Sequence, residues 1–150
     1  MSVASSAISR PSLTTPVPST GAGAIVLLGR LLFALIFILS GPRHFLSQSI
    51  AYAVSKGVPL ASLAVPFSGV LAFLGGLSIL LGYRARLGAW LVVLFLLGVT
   101  PLMHQFWVVT DPVLYQIQFA MFLKNVSMLG GALVITQLGT GPWSLDAGRR

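Results

Sequence analysis

Residues 24–41 read AIVLLGRLLFALIFILSG, an apolar run of 18 residues interrupted by a single charge, Arg30. A helix needs about 20 mostly apolar residues to cross a bilayer, and this run is of that length. Three more windows follow: Leu60–Gly82, Leu87–Met103 and Tyr115–Leu138. The composition agrees. Only 7% of the 150 residues are charged, 56% are hydrophobic, and there is no glutamate at all. A soluble domain carries about a quarter charged residues, so the surface of this chain is built for lipid. The expected fold is all-α: an integral membrane bundle of four transmembrane helices.

The connections fit that plan. Gly82-Tyr83-Arg84-Ala85-Arg86 makes a tight helical hairpin with glycine at the helix end. Residues Gln105 to Pro112 make another short link. Phe45–Pro59 (FLSQSIAYAVSKGVP) mixes Ser, Gln and Lys56 with apolar residues and is too polar to span. It reads as a short amphipathic or re-entrant helix between the first two spans, stopped by Gly57 and Pro59. Residues 1–20 carry Ser, Thr and three prolines without periodicity, the pattern of a disordered tail. Residues 21–142 then form the transmembrane domain, and 143–150 a C-terminal tail.

The nine Lys and Arg outweigh two acids, for a net charge of +7. A nucleic-acid-binding protein gathers such charge on one polar face. Here the cations punctuate apolar runs, as topology signals do, which argues against a nucleic-acid partner. One side collects Arg10, Arg84, Arg86, Arg149 and Arg150; the other has Arg43 and Lys56. By the positive-inside rule both termini lie in the cytoplasm, with the chain multi-pass in the inner (plasma) membrane. No cysteine is present, which removes disulfides and thiol relays.

Two cations sit within spans. Arg30 either snorkels to the headgroups, touching phospholipid there, or acts within the bundle; Lys124, beside Asn125, reads as functional or helix-bridging. Arg30, Ala34, Phe37, Gly41 and His44 share one helical stripe, which faces protein rather than lipid. Ser68, Ala72, Gly75 and Gly76 on the second span, and Ser127, Gly130 and Gly131 on the fourth, allow close helix packing. In the expected topology His44, His104, Gln116, Gln118, Lys124 and Asn125 gather towards the outer side, with Phe106, Trp107 and Tyr115 as an aromatic belt. Histidine, amide and cation around an aromatic cleft suit a quinone carbonyl or another small polar headgroup. The same residues also suit an ordinary interface whose histidines face water. Two histidines with no carboxylate nearby do not make a metal site, and Asp111 and Asp146, the only acids, fall in loops.

The order of motifs resembles the DoxX family of small four-helix membrane proteins. The matching pieces are GRLLFALIFILSG at 29–41, SKGVPL at 55–60, LGGLSILLGYRARLGAW at 74–90, HQFW at 104–107, FLKNVSMLGGAL at 122–133 and SLD at 144–146. The resemblance implies the four-helix fold and motif positions at Arg30, Lys56, His104, Lys124 and Asn125. It also implies an accessory or anchor subunit supporting quinone-linked oxidoreduction by a membrane or soluble partner, since the family takes its name from a subunit of a thiosulfate:quinone oxidoreductase. Quinone is then the one cofactor to expect, with none intrinsic. Many relatives have a glutamate before the paired glycines of the second span, where this chain has Ala72-Phe73-Leu74-Gly75-Gly76. Losing that carboxylate removes the natural counter-ion for Arg30 or Lys124 and weakens any proton relay. The other readings are a non-redox assembly subunit of a larger complex, a homo-oligomer, or a small transporter, for which no inverted repeat is visible.

Overall fold

A computed structural model describes residues 20–149, the side chain of Arg149 excepted. The expected tail before Thr20, with Arg10, and the terminal Arg150 lie outside the described residues. The elements are α1 (Thr20–Ser40), a 3-10 turn (Gly41–Phe45), α2 (Ser47–Ser55), α3 (Ala61–Leu81), α4 (Ala85–Met103), a second 3-10 turn (Phe106–Val108) and α5 (Pro112–Leu138). With their flanking turns, α1, α3, α4 and α5 are long and apolar enough to cross a membrane. Each runs at about 1.5 Å per residue, which matches a hydrocarbon layer about 30 Å thick. Their outward faces are as apolar as the interior: Ile25 is 73% exposed, Leu32 64% and Leu39 62%. Such faces are stable only against lipid. The chain is an integral membrane bundle of four spans, and α2 is the short amphipathic helix between the first two.

Local chemistry sets the helix ends. Asp111 caps α5: its carboxylate accepts the Leu114 amide at 2.8 Å, and Pro112 follows at the first helical position. The helix therefore begins at Pro112, one turn before the apolar run itself. Asp146 does the same for α4 from far away in sequence. Its carboxylate oxygens accept the Arg84 amide at 3.0 Å and the Ala85 amide at 3.2 Å. The Leu145 and Asp146 amides in turn donate to the Leu81 and Gly82 carbonyls, the freed end of α3. Residues 143–146 thus lie as a strap across the α3–α4 turn.

The helices pack in the order α1, α3, α4, α5. Glycines make the closest crossings. A Cβ on Gly41 would meet the Gly69 carbonyl oxygen at 2.9 Å, and one on Gly75 would meet the Gly88 carbonyl oxygen at 2.8 Å. Backbone-to-backbone approach of this kind is how helices bind each other where lipid removes the hydrophobic drive. Between the crossings Phe37, Ile79, Val92 and Leu96 fill the core. The stripe read from the sequence is the buried face of α1: Arg30, Ala34, Phe37 and Gly41 are all buried, and His44 half-buried. A second small core under α2 joins Ala53, Val58, Ala61 and Val65. The first and last spans, α1 and α5, face each other across a groove rather than closing the bundle. The end carrying Thr20 and the strap is called here the terminal end, and the opposite one the histidine end.

Candidate functional site

At the histidine end the groove forms a cleft of about 430 Å³. Phe37 and Ser40 of α1 form one wall, and Lys124, Asn125 and Met128 of α5 the other. Phe95, Leu96 and Val99 of α4 are the floor, while Gln48 and Tyr52 of α2 form a lip. His44, on the 3-10 turn after α1, and His104, just past α4, reach it from opposite sides. The turn that carries His44 is held by the Gly41–Gly69 crossing, because a Cβ on Gly69 would lie 2.6 Å from the His44 Cβ.

The hydrogen bonds define what each histidine can do. Ser68 gives its one hydroxyl proton to the Val65 carbonyl at 2.7 Å. Its oxygen, 2.8 Å from His44 Nδ1, can then only accept, so His44 Nδ1 carries the proton. His104 Nδ1 lies 3.0 Å from Gln118 Oε1, again an acceptor, so that nitrogen also donates. In the neutral form both rings present Nε2 as a lone pair. Asn125 is only 5% exposed and lines the same cleft, and its amide has no hydrogen-bond partner among the described residues. The amide atoms themselves are not sealed off but reach the open space of the cleft. Lys124, exposed at the rim, adds an ammonium with three donors. The cleft therefore offers two acceptors, a cation and one amide that both donates and accepts, over an apolar and aromatic floor. His44 stacks obliquely on Phe95 with ring centroids 5.7 Å apart.

Of the residues singled out in the sequence, His44, His104, Lys124 and Asn125 meet in this cleft, and Gln118 supports it through His104. Gln116 does not line it and is exposed on another face of α5. Arg30 stands apart, towards the terminal end. It is 5% exposed, and its Nη2 donates to the Trp143 carbonyl at 2.6 Å, so it is buried under the strap instead of snorkelling. The expected aromatic belt forms a cluster of its own. Phe106 sits among Trp107, Tyr115, Phe119 and Phe122, with ring centroids 5.1 to 5.8 Å away. The aromatic residues that do line the cleft are Phe37, Tyr52 and Phe95. Tyr52 and Gln48 carried a signal in the sequence, on the mixed polar helix α2; Phe95, inside a continuous apolar run, carried none.

These features define a small four-span helical membrane protein with a polar cleft opening sideways between its first and last spans. The family model described as DoxX matches residues 25–105, and the chain belongs to the DoxX family. It is similar to the inner membrane protein YphA of Escherichia coli (strain K12), 31% identical over 124 residues, which cover 81% of this chain and 88% of that one. It is also similar to the inner membrane protein YqjF of the same organism, 29% identical over 127 residues, with the same coverage of the two chains. No solved structure matches the chain significantly.

Proposed function

We propose that the cleft binds the headgroup of a quinone, and that the protein is an accessory membrane subunit supporting quinone-linked oxidoreduction by a partner protein. The observation that carries this reading is the unpaired Asn125 amide lining the same cleft as the two histidines. A quinone has two carbonyl oxygens that need donors, and Asn125 and Lys124 supply them. The reduced hydroquinone has two hydroxyls that need acceptors, and His44 and His104 Nε2 supply those. Conversion of one into the other takes two electrons and two protons. The chain has no cysteine for a thiol relay, and a partner oxidoreductase delivers the electrons in this reading. The cleft volume lies in the range of small-molecule sites, roughly 300–1,000 Å³, and its lateral opening admits a ligand that is dissolved in lipid.

The cation distribution and the naming of the two relatives as inner membrane proteins support a place in the inner membrane. With both termini in the cytoplasm, the cleft opens in the outer half of the bilayer. A specific observation also favours a protein partner within the membrane. Gln116, Ala120, Ser127, Gly130 and Gln137 recur on one exposed stripe of α5, and polar and small residues on a span usually meet another helix rather than lipid.

The test uses protein purified from membranes and titrated with a short-chain quinone. Asn125→Leu and His104→Ala are expected to weaken binding about tenfold or more, the loss of one well-placed hydrogen bond. Asn125→Leu should at the same time leave the melting temperature unchanged or raised, since the amide bonds to no described residue and its loss breaks no contact. Absence of quinone binding by the unaltered protein, or equal affinity in both variants, contradicts the proposal.

A further inference from the structure

Arg30 carries a second, independent problem. Its Nε and Nη1 are buried and have no hydrogen-bond partner. A guanidinium buried in the protein and left partly unpaired is costly, and such a group marks a ligand or a partner more often than a defect. The chain's own acids are committed elsewhere: Asp111 caps α5, and Asp146 holds the Arg84 and Ala85 amides. The carbonyls of Leu81 and Gly82 at the end of α3 are taken by the strap. Nη1 lies 2.7 Å from where a Cβ on Gly82 would stand. Arg30 is therefore level with the end of α3, at the height of the lipid headgroups.

Arg30 is also one wall of a second cavity. This is the terminal-end half of the α1–α5 groove, about 490 Å³, lined by Val26, Phe33, Val134 and Leu138 and ending at the Gly139–Gly141 turn. An apolar channel with a cation at headgroup height has the shape of one kind of ligand. We propose that the groove holds an acidic amphiphile, its chain along α1 and α5 and its oxyanion, a phosphate or a carboxylate, on the Arg30 guanidinium. A planar guanidinium whose Nε–H and Nη1–H remain unpaired beside the Trp143 contact is matched to such a group. The site is separate from the cleft of His44 and Asn125 and does not depend on quinone binding there.

Native mass spectrometry of the full chain tests this, with phosphatidylglycerol and phosphatidylcholine of identical acyl chains offered in equal amounts. The phosphatidylglycerol adduct should be retained roughly tenfold more, as a buried cation with one specific anionic contact predicts. Arg30→Gln should abolish the preference. Gly29→Leu should abolish retention while leaving Arg30 in place, since Gly29 lines the groove and a Cβ there meets nothing within 4 Å. If Arg30→Gln does not fold, Gly29→Leu decides. Equal retention of the two lipids, or a preference that persists in a folded variant, overturns the proposal. Displacement of the lipid by millimolar inorganic phosphate also overturns it, by assigning the guanidinium to a free anion.

Discussion

Replacing Gly69 with alanine is expected to cost the protein about 2 kcal/mol of stability and to remove ligand binding in the cleft with it. In an open helix position the same change helps, because alanine is better than glycine in a helix by about 1 kcal/mol. At Gly69 the new Cβ would stand 2.6 Å from the Gly41 carbonyl oxygen and 2.6 Å from the His44 Cβ. Neither is the far end of a flexible side chain, so α1 and α3 must move apart. Overpacking of this kind costs about 1–3 kcal/mol, and two rigid neighbours place it at the upper end. The net effect is a loss, and it falls on the turn that aims His44. Gly98→Ala is the control: nothing lies within 4 Å of its Cβ, so the melting temperature should stay or rise. Thermal melting of both variants in one detergent, followed by quinone titration, checks the pair. Equal melting temperatures for the Gly69 variant and the unaltered protein would show that the crossing is looser than described.

Asp146→Ala is expected to release the strap. One carboxylate satisfies two amides at the start of α4, close to the positive end of that helix's dipole. Loss of a good N-cap costs about 1–2 kcal/mol, and here the same residue anchors a tertiary contact. Without it the Leu145 and Asp146 amides lose their register on Leu81 and Gly82. Trp143 leaves Gly23, against which its ring packs, and Arg30 loses the Trp143 carbonyl. The expected result is a melting temperature lowered by several degrees, with new proteolytic cleavage after α5. Asp146→Asn, which keeps one acceptor oxygen, should fall between. A strap that stays protected in the alanine variant would mean that Trp143 and Arg30 hold it alone.

The spans were legible because lipid demands an apolar surface from every residue that faces it, and this leaves a mark in composition that packing cannot erase. The inward stripe from Arg30 to His44 was legible for a related reason: at helical spacing Arg30, Ala34, Gly41 and His44 set small and polar residues on one face of an otherwise apolar run. The cleft was legible in outline because the up-and-down topology brings His44, His104, Lys124 and Asn125 to one end. Rotation about α5 separates Gln116 from Gln118, since two residues along a helix turn about 200°. One therefore meets His104 and the other faces outward. The fate of Arg30 could not be read from its surroundings in sequence. Its burial depends on Trp143, 113 residues away, and on a strap that the Asp146 carboxylate helps to fasten. Ala72 is fully buried in the core and supplies no charge there.

A photoreactive quinone tests the central claim most directly. Protein in native membranes would be irradiated with the probe, digested, and the labelled peptides mapped. The predicted result is labelling confined to the cleft walls, around His44 to Tyr52, Phe95 to His104 and Lys124 to Met128, and suppressed by excess unlabelled quinone. Labelling spread along the lipid-facing surfaces of the helices, or unchanged by competitor or by Asn125→Leu, would contradict a quinone site in the cleft.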